Sequence, residues 1–534
     1  MPEKSSISNV ATNTPDARTR RGRVSPAAFW VAWTVALGAK FLLAVHLAPF
    51  GDEAWYWQES RHLDWGYSDL PPATAWLIAL GEAVCGHGTL GMRVPFVLLG
   101  ALLPLLLVRL GNRCFGAPVG WQAGLLALAF PLTATLGLFA LPDVPLTVAS
   151  LLALDAFESA ARRDRTRDWV LLGLALAAAW LSHYRAAMLF AAGLAFLLVT
   201  ARGRALWRRP GVWLALGIGL FGLLPTLIFN AAHDWVAFRF QLLERNPWQF
   251  HADALVQPLE QALVCTPVFY ALLLWAAWRC VRRARAPYDL FACAALVPIV
   301  AYFVLGCFAD DTRFRVHWPL PGYLPLLLVL PTLWPDAPGR PARVLRATAL
   351  GLLLLGCAGV FAYFGAAAVP GGALALARVK AFPEHLVGWR EAGERSAQLL
   401  DARPGVLLVA DNFMLAAELE FAFGAQQPVY VLDHPINAKH GRAPQLALWR
   451  RDEAALAARG PSPVLLVVEP TSRRERERAA WLQTVCTRIA NLTPADALDL
   501  YGRRKRLRWF DGESGVASTE TATPACVVAR SDAE

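Results

Sequence analysis

Acidic and basic residues in this chain of 534 amino acids gather where apolar runs end. The first long run closes at Phe41–Leu47. Asp52 and Glu53 follow at once, in a loop that also carries Asp69. Asp143 stands in Leu141-Pro-Asp-Val-Pro145 ahead of another run. His183-Tyr184-Arg185 joins two more, and Asp310-Asp-Thr-Arg-Phe-Arg-Val-His-Trp-Pro319 follows a later one. A carboxylate beside hydrocarbon is costly unless it is solvated, paired or used. Used together, such groups suit acid–base chemistry with charge stabilisation: a carboxylate can take the proton of an attacking hydroxyl, while Arg or His can stabilise a departing anion. A plainer reading also fits the first loop. Trp55, Tyr56, Trp57 and Trp65 would form an interfacial aromatic belt beside two solvated acids.

Stretches that must position these residues are strongly apolar. Hydrophobic residues make up 56% of the chain and its mean hydropathy is +0.39, beyond the range of an ordinary soluble protein. Runs near 28–48, 93–110, 119–138, 144–160, 168–182, 186–201, 211–230, 258–278, 288–307, 317–334 and 344–366 predict an α-helical polytopic membrane protein with about eleven transmembrane helices, the range being eleven to thirteen. Those around 168–201 are short for the ~20 residues a span needs, so a broken or re-entrant pair is compatible with them. Net charge is +10 and pI about 9.3, but the arginines sit in short clusters between apolar runs rather than as a nucleic-acid footprint. Connections placed inside carry 22 Lys or Arg and those placed outside carry 6, alternating at every crossing. That puts residues 1–27 in the cytoplasm and everything after 366 outside.

The segment from residue 367 changes character. Gly405-Val-Leu-Leu-Val-Ala, Pro428-Val-Tyr-Val-Leu and Pro463-Val-Leu-Leu-Val-Val read as strands, alternating with helix-like Met414–Phe423 and Arg474–Val485. This predicts a soluble α/β domain with a parallel sheet over 367–510 and a frayed tail over 511–534. Nine scattered cysteines include no Cys-x-x-Cys pair. A structural metal site is not expected, while a disulfide between Cys486 and Cys526 is open.

Asp52-Glu-Ala-Trp-Tyr-Trp57, Ser60-Arg-His-Leu-Asp-Trp-Gly-Tyr67 and Pro71-Pro-Ala-Thr-Ala-Trp-Leu-Ile78 together resemble the first external loop of polyprenyl-phosphate-sugar-dependent glycosyltransferases. Within these the chain is similar to the bacterial branch with the lipid A 4-amino-4-deoxy-L-arabinose transferase, relatives of the protein O-mannosyltransferases. The resemblance is strong over roughly 28–335 and weak in the tail, where Asp411–Phe423 carries it. It implies the C-type glycosyltransferase fold over 28–366. It also implies Asp52 as base with Glu53 as companion, Asp143 as the second-loop acid, and Arg315-Val-His-Trp-Pro319 on the phosphate side. Relatives often have Ser-Lys-Tyr where this chain has Ser182-His183-Tyr184, which makes the cation there pH-dependent.

The resulting expectation is an inverting transfer from a polyprenyl-phosphate sugar donor to a lipid, glycan or protein acceptor, at the periplasmic face of a bacterial inner membrane. Asp52, Glu53 and Asp143 are the catalytic candidates. Tyr56, Asp69, His183, Tyr184, Arg313, Arg315 and His317 are the substrate-binding ones. No cofactor, metal or nucleic acid is expected, and Glu59 is taken as exposed and uninvolved. Other readings stand beside these. Asp143 could be a helix N-cap, and Arg313 and Arg315 could anchor at headgroups. Lys40 could snorkel or face the cavity, and His233 and His317 could be ordinary interfacial histidines. For the whole chain the alternative is a transporter or flippase of lipid-linked sugars, against which stand polar groups at span ends rather than at the midplane and the lack of a visible repeat.

Overall fold

The computed structural model describes residues 25–246, 248–308, 316–334 and 339–514. Helix α1 (Pro26–His46) starts where the Ser25 hydroxyl accepts the Ala27 N–H and Pro26 supplies a fixed φ. After Leu47–Phe50 the chain turns into α2 (Gly51–Arg61), a short helix too polar to cross a membrane. Then come α3 (Ala73–Cys85), α4 (Thr89–Phe115) and α5 (Ala117–Ala129).

Each of the eleven apolar runs contains a helix, but length and hydropathy do not yield eleven spans. Six helices among the described residues are long and apolar enough to cross: Pro26–His46, Thr89–Phe115, Asp143–Arg163, Pro210–Ala232, Tyr288–Gly306 and Arg340–Ala367. Ala252–Val264 and Pro267–Arg283, bent by 108°, make a seventh if taken as one span. The discrepancy has a local cause. Phe130 is extended, Pro131 begins a separate turn and Gly137 has φ +89°, so the 119–138 run holds only the 13-residue α5. A helix rises 1.5 Å per residue, and apolar loop residues add nothing to its span. In the other direction, the first loop contains the apolar helix α3, which the pattern of long runs passes over.

The C-terminal region forms a five-stranded sheet in the order β2-β1-β3-β5-β4, from β1 (Leu407–Ala410), β2 (Val429–Val431), β3 (Ser462–Val468), β4 (Ala490–Leu500) and β5 (Lys505–Ser514). Strands β2, β1 and β3 are parallel, joined through helices as expected, but β5 runs antiparallel to both β3 and β4. The sheet is therefore mixed rather than parallel, and β5 extends four residues into the stretch assigned to a frayed tail. Side chains alternate strictly. Val409, Leu466 and Val468 pack under helix Glu475–Arg488 with Trp481 and Leu482. Leu408, Ala410 and Leu465 face the opposite way, into a core continuous with Trp55 and Trp57 of α2. The α/β domain thus shares its inner core with the helical domain. Cys486 is disulfide-bonded, while Cys526 lies outside the described residues.

Candidate functional site

Helix α2 carries the first acids, and its geometry separates them. Neighbouring residues on a helix project about 100° apart, so Asp52 and Glu53 cannot face the same way. Asp52 lines a cavity of about 540 Å³ between the helical and α/β domains. Glu53 points away from it and is fully buried. It accepts from Arg93 Nε at 2.9 Å and Nη2 at 2.6 Å, and from the backbone N–H groups of Phe50 at 3.0 Å and Ala140 at 2.6 Å. Arg93 in turn donates to the carbonyls of Ala44, Leu47 and Ala48. The Glu53–Arg93 pair therefore ties the end of α1, the start of α2, α4 and the Phe139–Ala140 segment together. In this geometry it holds the loop and does not line the cavity.

Asp69 lines the cavity near Tyr56, and both are buried. Between Asp52 and Asp69 lies Arg442, from the α/β domain, with Nη2 2.8 Å from Asp52 Oδ1 and Nε 3.3 Å from Asp69 Oδ2. Glu59 is not exposed but 1% accessible, and Trp55 Nε1 donates to it at 2.9 Å. Burial, then the charge of Asp69, raises its carboxyl well above the usual range. Burial raises Asp69 as well, opposed chiefly by Arg442, and burial followed by the charge of Asp52 raises the Tyr56 phenol. The pocket floor is thus an acid cluster held by one guanidinium.

Across the cavity, Asp143 is the first residue of its helix, but Pro142 occupies the cap position and the Asp143 side chain makes no capping bond. It pairs instead with Arg185 at 2.6 Å and His317 at 3.3 Å. Arg185 and Arg245 both lie over Trp318, with guanidinium carbons 5.2 and 5.6 Å from the ring centre. His183 lines the same wall, and its Nδ1 accepts the Arg185 backbone N–H at 3.0 Å. Burial, then the Arg185 charge, pushes the imidazole well below its ordinary value. That direction favours the neutral imidazole over the pH-dependent cation expected from the sequence. A second, apolar groove of about 420 Å³ runs among Leu154, Phe157, Leu189, Leu216 and Tyr302 and meets the polar cavity at Arg185.

Of the residues picked from the sequence, the structure brings Asp52, Tyr56, Asp69, Asp143, His183 and His317 to one cavity. Glu53 is turned away as described. Tyr184 packs on Phe238, outside the cavity wall. Arg313 and Arg315 lie outside the described residues. Lys40 neither snorkels nor reaches the cavity: it is buried with Nζ 2.7 Å from the Leu136 carbonyl. Sequence reasoning left Arg245, Lys439, His440 and Arg442 out of the site, though all four line it. Asn230-Ala-Ala-His233 does not line the cavity; Asn230 Oδ1 accepts from the N–H groups of Ala237 and Phe238.

Comparison with known proteins agrees with this architecture. The family model described as dolichyl-phosphate-mannose-protein mannosyltransferase matches residues 69–229. The lipid A galacturonosyltransferase RgtD of Rhizobium johnstonii is 24% identical over 376 residues, which cover 69% of this chain and 76% of that protein. The undecaprenyl phosphate-alpha-4-amino-4-deoxy-L-arabinose arabinosyl transferase of Pseudomonas aeruginosa is 31% identical over 375 residues, covering 62% of this chain and 63% of its own. The crystal structure of ArnT from Cupriavidus metallidurans bound to undecaprenyl phosphate superposes with a TM-score of 0.65 at 18% identity, over 94% of this chain and all of that one. Helical bundle, docked α/β domain and acid-lined cavity between them define a multi-pass membrane glycosyltransferase of the C-type fold. The chain is similar to ArnT, to related lipid A glycosyltransferases and, over 69–229, to the protein mannosyltransferases.

Proposed function

We propose that the enzyme moves a sugar from a polyprenyl-phosphate carrier to a lipid, glycan or protein acceptor by a single inverting displacement, at the periplasmic face of a bacterial inner membrane. The observation that carries this reading is the junction at Arg185 of a polar cavity with an apolar groove. An amphiphilic donor fits that shape, its prenyl chain in the groove and its phosphate against Arg185, Arg245 and His317. The bond from the anomeric carbon to the phosphate oxygen breaks with its electron pair moving to the phosphate, whose charge those cations stabilise. The acceptor oxygen attacks the opposite face of the sugar and its proton passes to Asp52. Asp143, fixed by Arg185, sits between phosphate and sugar and orients both. No cofactor or metal takes part in the scheme, and the 22 to 6 division of basic residues supports the orientation.

Asp52→Asn tests the mechanism, since Asn keeps the size but cannot take a proton. Purified variants are assayed for release of polyprenyl phosphate with a matched donor and acceptor. A fall of ~10²–10⁴-fold is expected, with donor binding retained. Asp143→Asn is expected to weaken donor binding as well as turnover. Turnover near the original rate in Asp52→Asn would defeat the assignment and move the base to Asp143 or Asp69. The acceptor is identified by comparing lipid and surface-glycan mass spectra of a deletion strain with its parent.

A further inference from the structure

Arg442 comes from the α/β domain, yet it is 2% exposed and set among residues of the helical domain's first loop. Its guanidinium carbon lies 4.2 Å from the ring centre of Phe413, 5.2 Å from Trp55 and 5.6 Å from Tyr56. Aromatic faces on this scale hold the planar group in one orientation while two of its nitrogens reach two different acids. The backbone that delivers it is fixed equally closely. Ser68 Oγ donates to the Gly441 carbonyl at 2.6 Å, and the Ser68 N–H donates to Gln445 Oε1 at 2.9 Å. Gly441 has φ +71°, and a Cβ there would stand 2.5 Å from the Phe240 ring, so only glycine allows this approach.

A buried guanidinium is costly, and such a group is retained where it holds charges that would otherwise be unpaired. The charges of Asp52, Asp69 and Glu59 all act on Arg442, and Asp69 raises Glu59, as like charges held close to one another do. We infer that Arg442 is a positioning residue for the transfer reaction: inserted between Asp52 and Asp69 by docking of the α/β domain, it keeps Asp52 ionised and in one rotamer facing the cavity. This rests on the reading of Asp52 as base. Arg442 itself touches Asp52 and Asp69, and its part in turnover runs through Asp52.

Arg442→Gln and Arg442→Lys are measured in full-length enzyme, each alone and combined with Asp52→Asn. For Arg442→Gln, kcat is expected to fall at least ~100-fold with donor KM within about threefold, and the acidic limb of kcat/KM is expected to move to higher pH as the paired cation is lost. In the Asp52→Asn background the same change is expected to cost less than about threefold, because the group it positions is already disabled. Arg442→Lys, which keeps the charge but not the fork, is expected to fall between. Where loss of the cation unfolds the protein, Asp69→Asn is combined with Arg442→Gln so that one acid fewer needs compensation, and the same comparison is made with Asp69→Asn as reference. An equal cost in both Asp52 backgrounds, or an Arg442→Gln enzyme within threefold of the parent, overturns the inference. If Asp52→Asn alone is fully active, the base assignment has failed instead, and the two failures are told apart.

Discussion

Glu53→Gln separates a residue that holds the site from one that works in it. Gln has nearly the shape of Glu, but it puts an NH₂ where a carboxylate oxygen accepts from Arg93 and a backbone N–H, and it removes the carboxylate charge paired with that guanidinium. Both partners are wholly inaccessible, at 0% exposure, so water cannot take over. Breaking a buried pair by removing one partner costs ~3–5 kcal/mol, or about two to three and a half decades in the folded population. Thermal unfolding in detergent, followed by tryptophan fluorescence, should show the loss directly. Turnover per folded molecule is expected within about threefold of the parent, since Glu53 does not line the cavity. Replacing both partners with apolar residues, as Glu53→Leu with Arg93→Met, should recover part of the stability that either single change loses. Normal stability combined with lost turnover would refute the reasoning and return Glu53 to the chemistry.

Three further outcomes follow from the topology and the α/β domain. Alkaline phosphatase fused after Lys380 is expected to be active, and an inactive fusion with intact expression would reverse the orientation. Asp411, fully buried at the end of β1, has its carboxyl raised to about 7 by burial and by Glu469. A folded-state pKa above the unfolded one favours the protonated form, so this group's contribution is present at low pH and declines as pH rises from about 4 through 7. Asp411→Asn, which mimics the neutral acid, is therefore expected to unfold at a higher temperature than the parent at pH 8 and at nearly the same one at pH 4. Equal shifts at both pH values would count against it. Labelling of denatured, unreduced protein is expected to find seven thiols, because Cys486 is bonded and seven other cysteines are free. Nine would remove the Cys486–Cys526 pairing.

The helical scaffold was legible because apolar runs announce themselves locally; Asp52 and Asp143 were legible as cavity residues because each follows or precedes such a run, and Asp69 because it shares the first loop with Asp52. Glu53 misled for a geometric reason: adjacency in sequence is opposition on a helix, so two neighbouring acids were bound to part company. Glu59 misled because a charged residue two turns from Asp52 resembles a solvated face until α2 is seen packed under the α/β domain. Arg442 had no local signal at all, as its partner Asp69 lies 373 residues away. Strands β4 and β5 escaped because β4, with Pro494, Asp496 and Asp499, is a half-exposed edge strand with register shifts, not an apolar run. Its turn carries positive φ at Tyr501, Gly502 and Arg503, which composition does not announce for Tyr and Arg.

Because the cavity wall is drawn from residues as far apart as Asp52 and Arg442, the site has a birth order. The first acid leaves the ribosome ~20–80 s before the arginine that spans it and Asp69, at ~5–20 residues per second. During that interval the bundle can insert and pack while its pocket floor lacks a cation, so the acids must stay wet or protonated. The finished pocket therefore dates from after Arg442 is made, and a ribosome that stalls before that residue leaves a membrane-embedded protein with a groove for lipid and no completed floor beneath it.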